Sequence, residues 1–131
     1  MPTAYLTRVV EFTATHRFPD TPDFAGATAD HSHLYRCAVT VKGPFDPARG
    51  GVMSLKTLDD LLEREIVAPF DGRHINRDVP TFADGNWLPT GEALAVYLWD
   101  RIKDQVPSGV TLHAIRVQEG PHLYSEYRGE A

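Results

Sequence analysis

The sequence predicts an α+β fold in which two helices pack on one face of an antiparallel sheet. Two early segments alternate apolar and polar residues with a period of two, which is typical of half-buried strands. Two central segments carry apolar stripes at helical spacing, and two further alternating segments follow them. The predicted order is therefore β-β-α-α-β-β: strands 9–18 and 31–42, helices 55–67 and 91–105, and strands 110–119 and 122–128.

Length and composition are those of one globular domain spanning residues 1–131. The formal net charge is −5 and lysine and arginine form no cluster, so we expect no nucleic-acid partner. No segment has the roughly 20 apolar residues that cross a bilayer, and the first residues lack the apolar run of a signal peptide. The single cysteine, Cys37, cannot form an internal disulfide. We therefore expect a soluble cytoplasmic protein with no membrane partner.

The first two strands each present one row of side chains to the predicted core. The row on the first strand ends near His16, and the row on the second begins with His31 and His33. Residues 19–30, rich in proline, aspartate, glycine and alanine, are predicted to form the loop between them. The rows are Val10, Phe12, Ala14, His16 and Phe18 on the first strand, and His31, His33, Tyr35, Cys37, Val39 and Val41 on the second.

Helix boundaries follow from capping residues and prolines. Ser54 is the predicted N-cap of the first helix, and Pro69 is predicted to end it. Thr90 is the predicted N-cap of the second helix. The segment between the helices, 70–89, is predicted to be a long connection without regular structure, and such connections are often functional.

The last two strands are joined by a tight turn at Gly120-Pro121. The alternation in 110–119 predicts that His113, Ile115, Val117 and Glu119 share one face. A four-stranded sheet of this size has open edges that pair with other chains, so we expect an oligomer.

Three histidines lie on one face of two strands that we expect to be neighbours. His31 and His33 are two residues apart and project from the same face, and His16 ends the apolar row of the first strand. Three imidazoles with a fourth position open to water or substrate are typical of a catalytic zinc site. The spacing by itself also allows ordinary, partly buried histidines. Cys37 is predicted to belong to the core.

Further motifs occur in a fixed order over nearly the whole chain. They are EFTATHRF (11–18), HSHLYRCAVTVKG (31–43), GVMSL (51–55), Asp71 with Ile75 and Asn76, PTGEALAVYLW (89–99) and VQEGPHLYSEYRGE (117–130). Together they resemble the 6-pyruvoyltetrahydropterin synthase and 6-carboxytetrahydropterin synthase family. Singly they are weak; as a set they are specific.

The resemblance implies a tunnelling fold (T-fold), in which three subunits close a barrel and two barrels usually stack into a hexamer. It implies a homo-oligomer, a trimer or a dimer of trimers, with zinc held by His16, His31 and His33. The implied substrate is a reduced pterin, usually 7,8-dihydroneopterin triphosphate. Glu119 matches the glutamate that anchors the pterin ring, and Thr90 and Glu92 match the P-T-x-E motif as further substrate-binding residues.

The proton-transfer residues of the family are only partly present. The family has a cysteine four to six residues before the H-x-H pair, but these positions are Ala25, Gly26 and Ala27 here. The histidine of the family's D-H-x-x-L-N motif is replaced by Gly72. Asp71 remains from that motif, and His74 lies two residues beyond Gly72. Asp71 and His74 are therefore the candidate catalytic residues, although the spacing by itself favours a solvent-exposed loop histidine as the interpretation of His74.

Three functions stay open on the sequence. The first is a zinc-dependent lyase acting on a reduced pterin with rearranged proton-transfer residues. The second is a non-catalytic protein that binds zinc and a pterin. The third is a structural oligomer with a vestigial pocket. The complete set of three metal ligands favours the first over the second, and both over the third.

Overall fold

The chain folds around one five-stranded sheet with the strand order β3-β1-β2-β4-β5. The computed structural model describes all residues from 1 to 131. Every neighbouring pair of strands is antiparallel except β1 and β3. The α+β class and the order of the four predicted strands are confirmed. The strands are β1 (Thr3–His16), β2 (His31–Pro44), β3 (Arg73–His74), β4 (Thr111–Gly120) and β5 (Leu123–Tyr127).

The helical elements lie in the middle of the chain, and a short 3₁₀ turn, Pro22–Phe24, lies in the loop between β1 and β2. In chain order the helices are α1 (Leu55–Leu62), a π-helical turn (Glu63–Val67), α2 (Ala68–Phe70), α3 (Ile75–Asp78), α4 (Pro80–Ala83) and α5 (Gly91–Ile102). None of these helices is both long and apolar enough to span a membrane.

The first strand begins six residues earlier than the alternation predicts. Residues 3–8 carry no continuous apolar row, yet they pair with β2 from Thr3 opposite Pro44 onward. Backbone hydrogen bonding to a long partner strand therefore decides where β1 begins. Its other end is at His16 rather than residue 18, and His16 lies opposite His31.

The prediction that Pro69 ends the first helix was wrong. Ser54 caps α1 as predicted, since its hydroxyl accepts the Thr57 backbone N–H at 3.2 Å. The helical path then widens into the π-helical turn and continues through Pro69 to Phe70. In a wide turn the carbonyls are displaced along the ladder, so a proline without an N–H is accommodated near its end.

The connection from 70 to 89 is structured, contrary to the prediction. Its strand β3 pairs in parallel with β1, with Thr15 opposite His74, and α3 and α4 follow. The turn into β3 passes through Gly72 at φ 73°, in the left-handed region that favours glycine. The Gly72 N–H donates to the Thr13 carbonyl at 2.8 Å and brings the connection onto the edge of the sheet.

Two details of the C-terminal half also differ from the predictions. The last helix ends at Ile102 instead of 105. A register shift in β4 opposite Thr40 and Val41 breaks the alternation, and His113 packs edge-on against exposed Tyr5 at 4.8 Å between ring centroids. His113 therefore does not share the core face with Ile115. The prediction fails because a β-bulge inserts one residue into the period of two.

A single hydrophobic core lies between one face of the sheet and the helices. Phe12 and Tyr35, from β1 and β2, stack with ring centroids 5.0 Å apart, and Leu58 and Leu98 cover the sheet from α1 and α5. His16 is the one fully buried polar side chain. The core thus extends directly up to the histidine row.

Candidate metal centre

The paired strands β1 and β2 bring the three predicted ligands together. His16 lies opposite His31, and His33 lies opposite Ala14 on the same face. The potential ligand atoms of His16, His31 and His33 all lie within 4.8 Å of one another. The histidine cluster that the sequence predicts is therefore present.

Two of the three rings are oriented by hydrogen bonds to backbone carbonyls. His16 Nδ1 lies 2.9 Å from the Pro89 carbonyl oxygen and 3.1 Å from the Tyr35 hydroxyl. His31 Nδ1 lies 2.9 Å from the Ala29 carbonyl oxygen. Such contacts hold a metal-binding imidazole in one tautomer and leave Nε2 as its ligand atom.

His16 Nε2 is buried and has no hydrogen-bond partner. An unpaired buried nitrogen is costly in a folded protein unless something binds it. Burial also lowers the pKa of His16 to about 4, and it lowers the pKa of His33. Both imidazoles are therefore held neutral, which is the form that binds a metal.

These residues fit a zinc ion. Three imidazole nitrogens within 4.8 Å of one another on one face make a three-ligand set, and such sets keep a fourth position for water or substrate. The sequence provides no thiolate here: Cys37 is fully buried in the core, and burial raises the pKa of its thiol to about 12.

Glu119 lies beside the histidine cluster at the end of β4. The ring of His33 lies against the Glu119 backbone. Burial and the nearby charge of Glu92 raise the pKa of the Glu119 carboxyl, while the backbone N–H of Gly91 favours its ionised form. Glu92 itself accepts a hydrogen bond from the Ser125 hydroxyl at 3.3 Å.

A cleft of about 470 Å³ opens where the pairing of β2 with β4 ends. His33 and Glu119 line it together with Gln118, Arg36 and Glu11. A slightly larger cavity, about 520 Å³, lies at the far end of β1 and contains no ionisable group but Arg49 and Tyr5. The chemistry therefore points to the smaller cleft.

The comparisons with known proteins agree with this geometry. The family model for 6-pyruvoyl tetrahydropterin synthase matches residues 5–130. This chain belongs to that family. A 6-pyruvoyl tetrahydrobiopterin synthase of Poecilia reticulata is 36% identical, covering 96% of this chain and 90% of its own. The human protein of that name is 41% identical over 100 residues, which is 76% of this chain and 67% of its own.

Solved structures of the family share the fold. The 6-pyruvoyl tetrahydropterin synthase of Caenorhabditis elegans superimposes with a TM-score of 0.88 at 27% identity, covering 99% of this chain and 98% of its own. The T-fold architecture expected for this chain is therefore confirmed.

Two residues of the family's P-T-x-E motif stand at the start of α5. Thr90 caps the helix, because its hydroxyl accepts the Ala93 N–H at 3.1 Å. Glu92 is exposed and close enough to Glu119 to raise its pKa. The predicted substrate contacts of both residues remain predictions.

The two candidate catalytic residues have different environments. Asp71 is exposed, and its Oδ1 accepts the Thr13 backbone N–H at 2.9 Å. His74 is largely buried, with 12% of its side chain exposed, and its Nε2 lies 3.0 Å from Asp30 Oδ1. His74 Nδ1 is buried without a partner. His74 is thus no free loop histidine.

Asp30 is the residue that sequence reasoning missed. It lies outside the position of the family's cysteine, yet it contacts His74 and two arginines, Arg17 at 3.5 Å and Arg77 at 3.8 Å. These contacts lower the pKa of the Asp30 carboxyl, the hydrogen bond from His74 most strongly. Its position directly before His31 was the one signal in the sequence that placed it near the metal ligands.

Proposed function

We propose that this chain is a zinc-dependent lyase of the 6-pyruvoyltetrahydropterin synthase type, acting on a reduced pterin such as 7,8-dihydroneopterin triphosphate. The observation that carries the proposal is the buried, unpaired Nε2 of His16 in a three-histidine cluster, one residue of which lies against Glu119. One histidine of the cluster, His33, and the Glu119 carboxylate thus border the same cleft.

Glu119 binds the pterin ring in this proposal. An ionised carboxylate accepts two N–H groups from the 2-amino-4-oxo edge of a pterin, which is a strong, directional contact. The Gly91 N–H favours that ionised form. Thr90 and Glu92 complete the substrate-binding set, Thr90 by fixing the start of α5 and Glu92 by its charge beside Glu119.

His16, His31 and His33 would hold the zinc. Pro89 and Tyr35 orient His16, and Ala29 orients His31. When bound, the zinc would act as a Lewis acid toward the hydroxyl-bearing side chain of the substrate. Tyr35 is buried, and burial with the nearby Glu119 charge raises its pKa, so it stays protonated and orients His16 rather than accepting a proton.

His74 accepts the substrate proton in place of the family's cysteine. Its Nε2 is bonded to Asp30, so Nδ1 is the free acceptor, and Asp30 stabilises the imidazolium that forms. Asp71 ties the segment that carries His74 to β1 through Thr13. In this arrangement Asp71 positions the segment that carries His74, and His74 accepts the proton.

We also propose that the chain assembles into a trimer or a dimer of trimers. Only Ala14 and Thr15 of the 14-residue β1 pair with β3, so most of its outer edge is open, as is the outer edge of β5. Open edges at the two ends of one sheet can pair head to tail between copies and close a ring.

A second candidate is a zinc- and pterin-binding protein without turnover. One observation favours it: the only thiol, Cys37, is buried in the core and cannot replace the family's cysteine.

The test is to incubate the zinc-loaded protein with 7,8-dihydroneopterin triphosphate, and to measure released triphosphate and pterin products by chromatography. Glu119→Ala is expected to abolish both, while Gly51→Ala, at an open surface site, leaves both unchanged. Tight binding of the pterin without triphosphate release would favour the second candidate, and absence of binding would contradict both.

A further inference from the structure

We infer that Gly91 and Ser125 position the Glu119 carboxylate, and that in this chain a side chain at residue 91 would displace that carboxylate and weaken binding of the pterin ring. The inference rests on the proposed role of Glu119 in ring binding. Neither residue lines the cleft. Gly91 begins α5, and Ser125 lies on β5, the strand paired with the one that carries Glu119.

The space over Gly91 is already occupied. A Cβ at residue 91 would lie 2.9 Å from Glu119 Oε1 and 2.7 Å from Ser125 Oγ. Contacts this short do not occur between real atoms of these types, so one of the two groups would have to move. Gly91 is buried at the first position of α5, and Leu94, Leu98 and Ile102 of the same helix are buried in the core, so a shift of the helix would disturb core packing.

Backbone conformation gives no reason for a glycine here. Gly91 is not among the glycines with positive φ, unlike Gly72. Glycine also has a poorer helix propensity than alanine. The glycine is therefore explained by space: it lets the Glu119 carboxylate approach the N-terminus of α5, where free N–H groups favour a negative charge.

Ser125 provides Glu92 with a hydrogen-bond donor different from the one that serves Glu119. Its hydroxyl donates to Glu92 Oε1, while the Gly91 N–H favours the charge of Glu119. Each carboxylate thus has its own donor. Ser125 lies opposite Val117 in the β4–β5 ladder, two residues before Glu119, so its position relative to Glu119 is set by strand register.

Alignment matters because the ring edge must meet both oxygens of one carboxylate. A bidentate contact is lost when the carboxylate rotates or moves sideways, even if the residue is still present. Gly91 and Ser125 are therefore positioning residues, and their substitution is expected to change pterin affinity without changing the metal centre.

The first measurement is the affinity of the zinc-loaded protein for neopterin by calorimetry. Gly91→Ala is expected to weaken binding roughly ten- to a hundred-fold, the equivalent of one hydrogen bond to a charged group. Its zinc content should equal that of the wild type. Gly51→Ala is the matched control, since a Cβ there meets nothing within 4 Å. Unchanged affinity in Gly91→Ala would overturn the inference.

The double variant Gly91→Ala/Ser125→Ala separates the two contacts. It removes the contact with Ser125 Oγ and leaves the contact with Glu119 Oε1. We expect the double variant to melt at a higher temperature than Gly91→Ala, while its affinity for the pterin stays as low as that of Gly91→Ala. Recovery of both would show that Ser125 alone was displaced, and would contradict the role assigned to Gly91.

A ligand-free measurement keeps this inference distinct from the proposed function. If the wild type binds no pterin, the proposed function fails, and the contact is still tested by melting temperatures. Gly91→Ala is then expected to lower the melting temperature less in a Glu119→Ala background than in the wild type, because the crowded carboxylate is gone. If Gly91→Ala lowered the melting temperature equally in the wild type and in the Glu119→Ala variant, the inference would be overturned.

Discussion

The histidine cluster and the Asp30–His74 pair lie near each other but are held in different ways. His16 is fully buried and contacts a backbone carbonyl and a buried tyrosine on the long β1–β2 ladder. His74 stands on a two-residue strand and is held by Asp30, whose side chain is 42% exposed. The candidate metal half of the site is therefore part of the core, whereas the proposed proton-transfer half depends on a short segment and one exposed carboxylate.

This difference predicts that the two halves respond differently to substitution. Changes at the metal half should cost both zinc and stability, because core packing and ligands coincide there. Substitutions at the Asp30–His74 pair should reduce activity with little loss of zinc or of stability. The following predictions test that contrast in order of expected size.

The largest effect is expected for His16→Ala. It removes a proposed metal ligand and leaves the Tyr35 hydroxyl and the Pro89 carbonyl without their buried partner. We expect loss of zinc, loss of pterin turnover and a decrease of about 2–4 kcal/mol in the free energy of unfolding. Metal analysis measures the zinc content, chromatography of the products measures turnover, and urea unfolding measures the free energy of unfolding. His113→Ala is the histidine control outside the cluster. Normal zinc content in His16→Ala would contradict the ligand assignment.

The next effect concerns turnover alone. His74→Gln is expected to reduce kcat by roughly 10²- to 10⁴-fold, the usual contribution of general acid–base catalysis. Asp30→Asn should reduce kcat less, because His74 keeps its acceptor nitrogen. Zinc content and KM should change little in both variants. A His74→Gln variant with wild-type kcat would exclude His74 as the proton acceptor.

The third prediction concerns pH and the metal-free protein. The unfolded chain binds a proton at residue 16 below pH 6.5, whereas the folded chain, in which burial lowers the pKa of His16 to about 4, does not. The free energy of unfolding therefore falls as the pH drops from 6.5 towards 4, by on the order of 3 kcal/mol. Urea unfolding of chelator-treated protein across this range measures the loss. His16→Gln should show a shallower pH dependence, and an equal slope would refute the assignment to His16.

The smallest effect is expected for Asp71→Ala. It removes one hydrogen bond to the Thr13 backbone at an exposed edge, so we expect a loss of about 1 kcal/mol. Because Asp71 ties the His74 segment to β1, kcat should decrease while zinc content stays constant. Arg8→Ala, which breaks an exposed ion pair with Asp59 elsewhere on β1, provides the comparison for stability. Equal kcat in both variants would argue against a positioning role for Asp71.

Regular alternation made much of the site predictable. The rows on β1 and β2 placed His16, His31 and His33 on one face, and the hairpin then brought them within reach of one metal. The caps Ser54 and Thr90 were predictable as well, because capping is a local contact over three residues. The same local reasoning failed at His113 and Pro69, where a bulge and a π-helical turn changed the period.

What the sequence by itself determined was the face on which the residues of β1 and β2 lie, since side-chain direction follows from backbone geometry within a few residues. Tertiary structure alone decided that Asp30 meets His74 and that Gly91 makes room for Glu119. Those contacts join residues 44 and 28 positions apart through loops and through the order of strands. The histidine row is therefore visible in the sequence, whereas the groups that complete the site depend on where the connections bring the chain back.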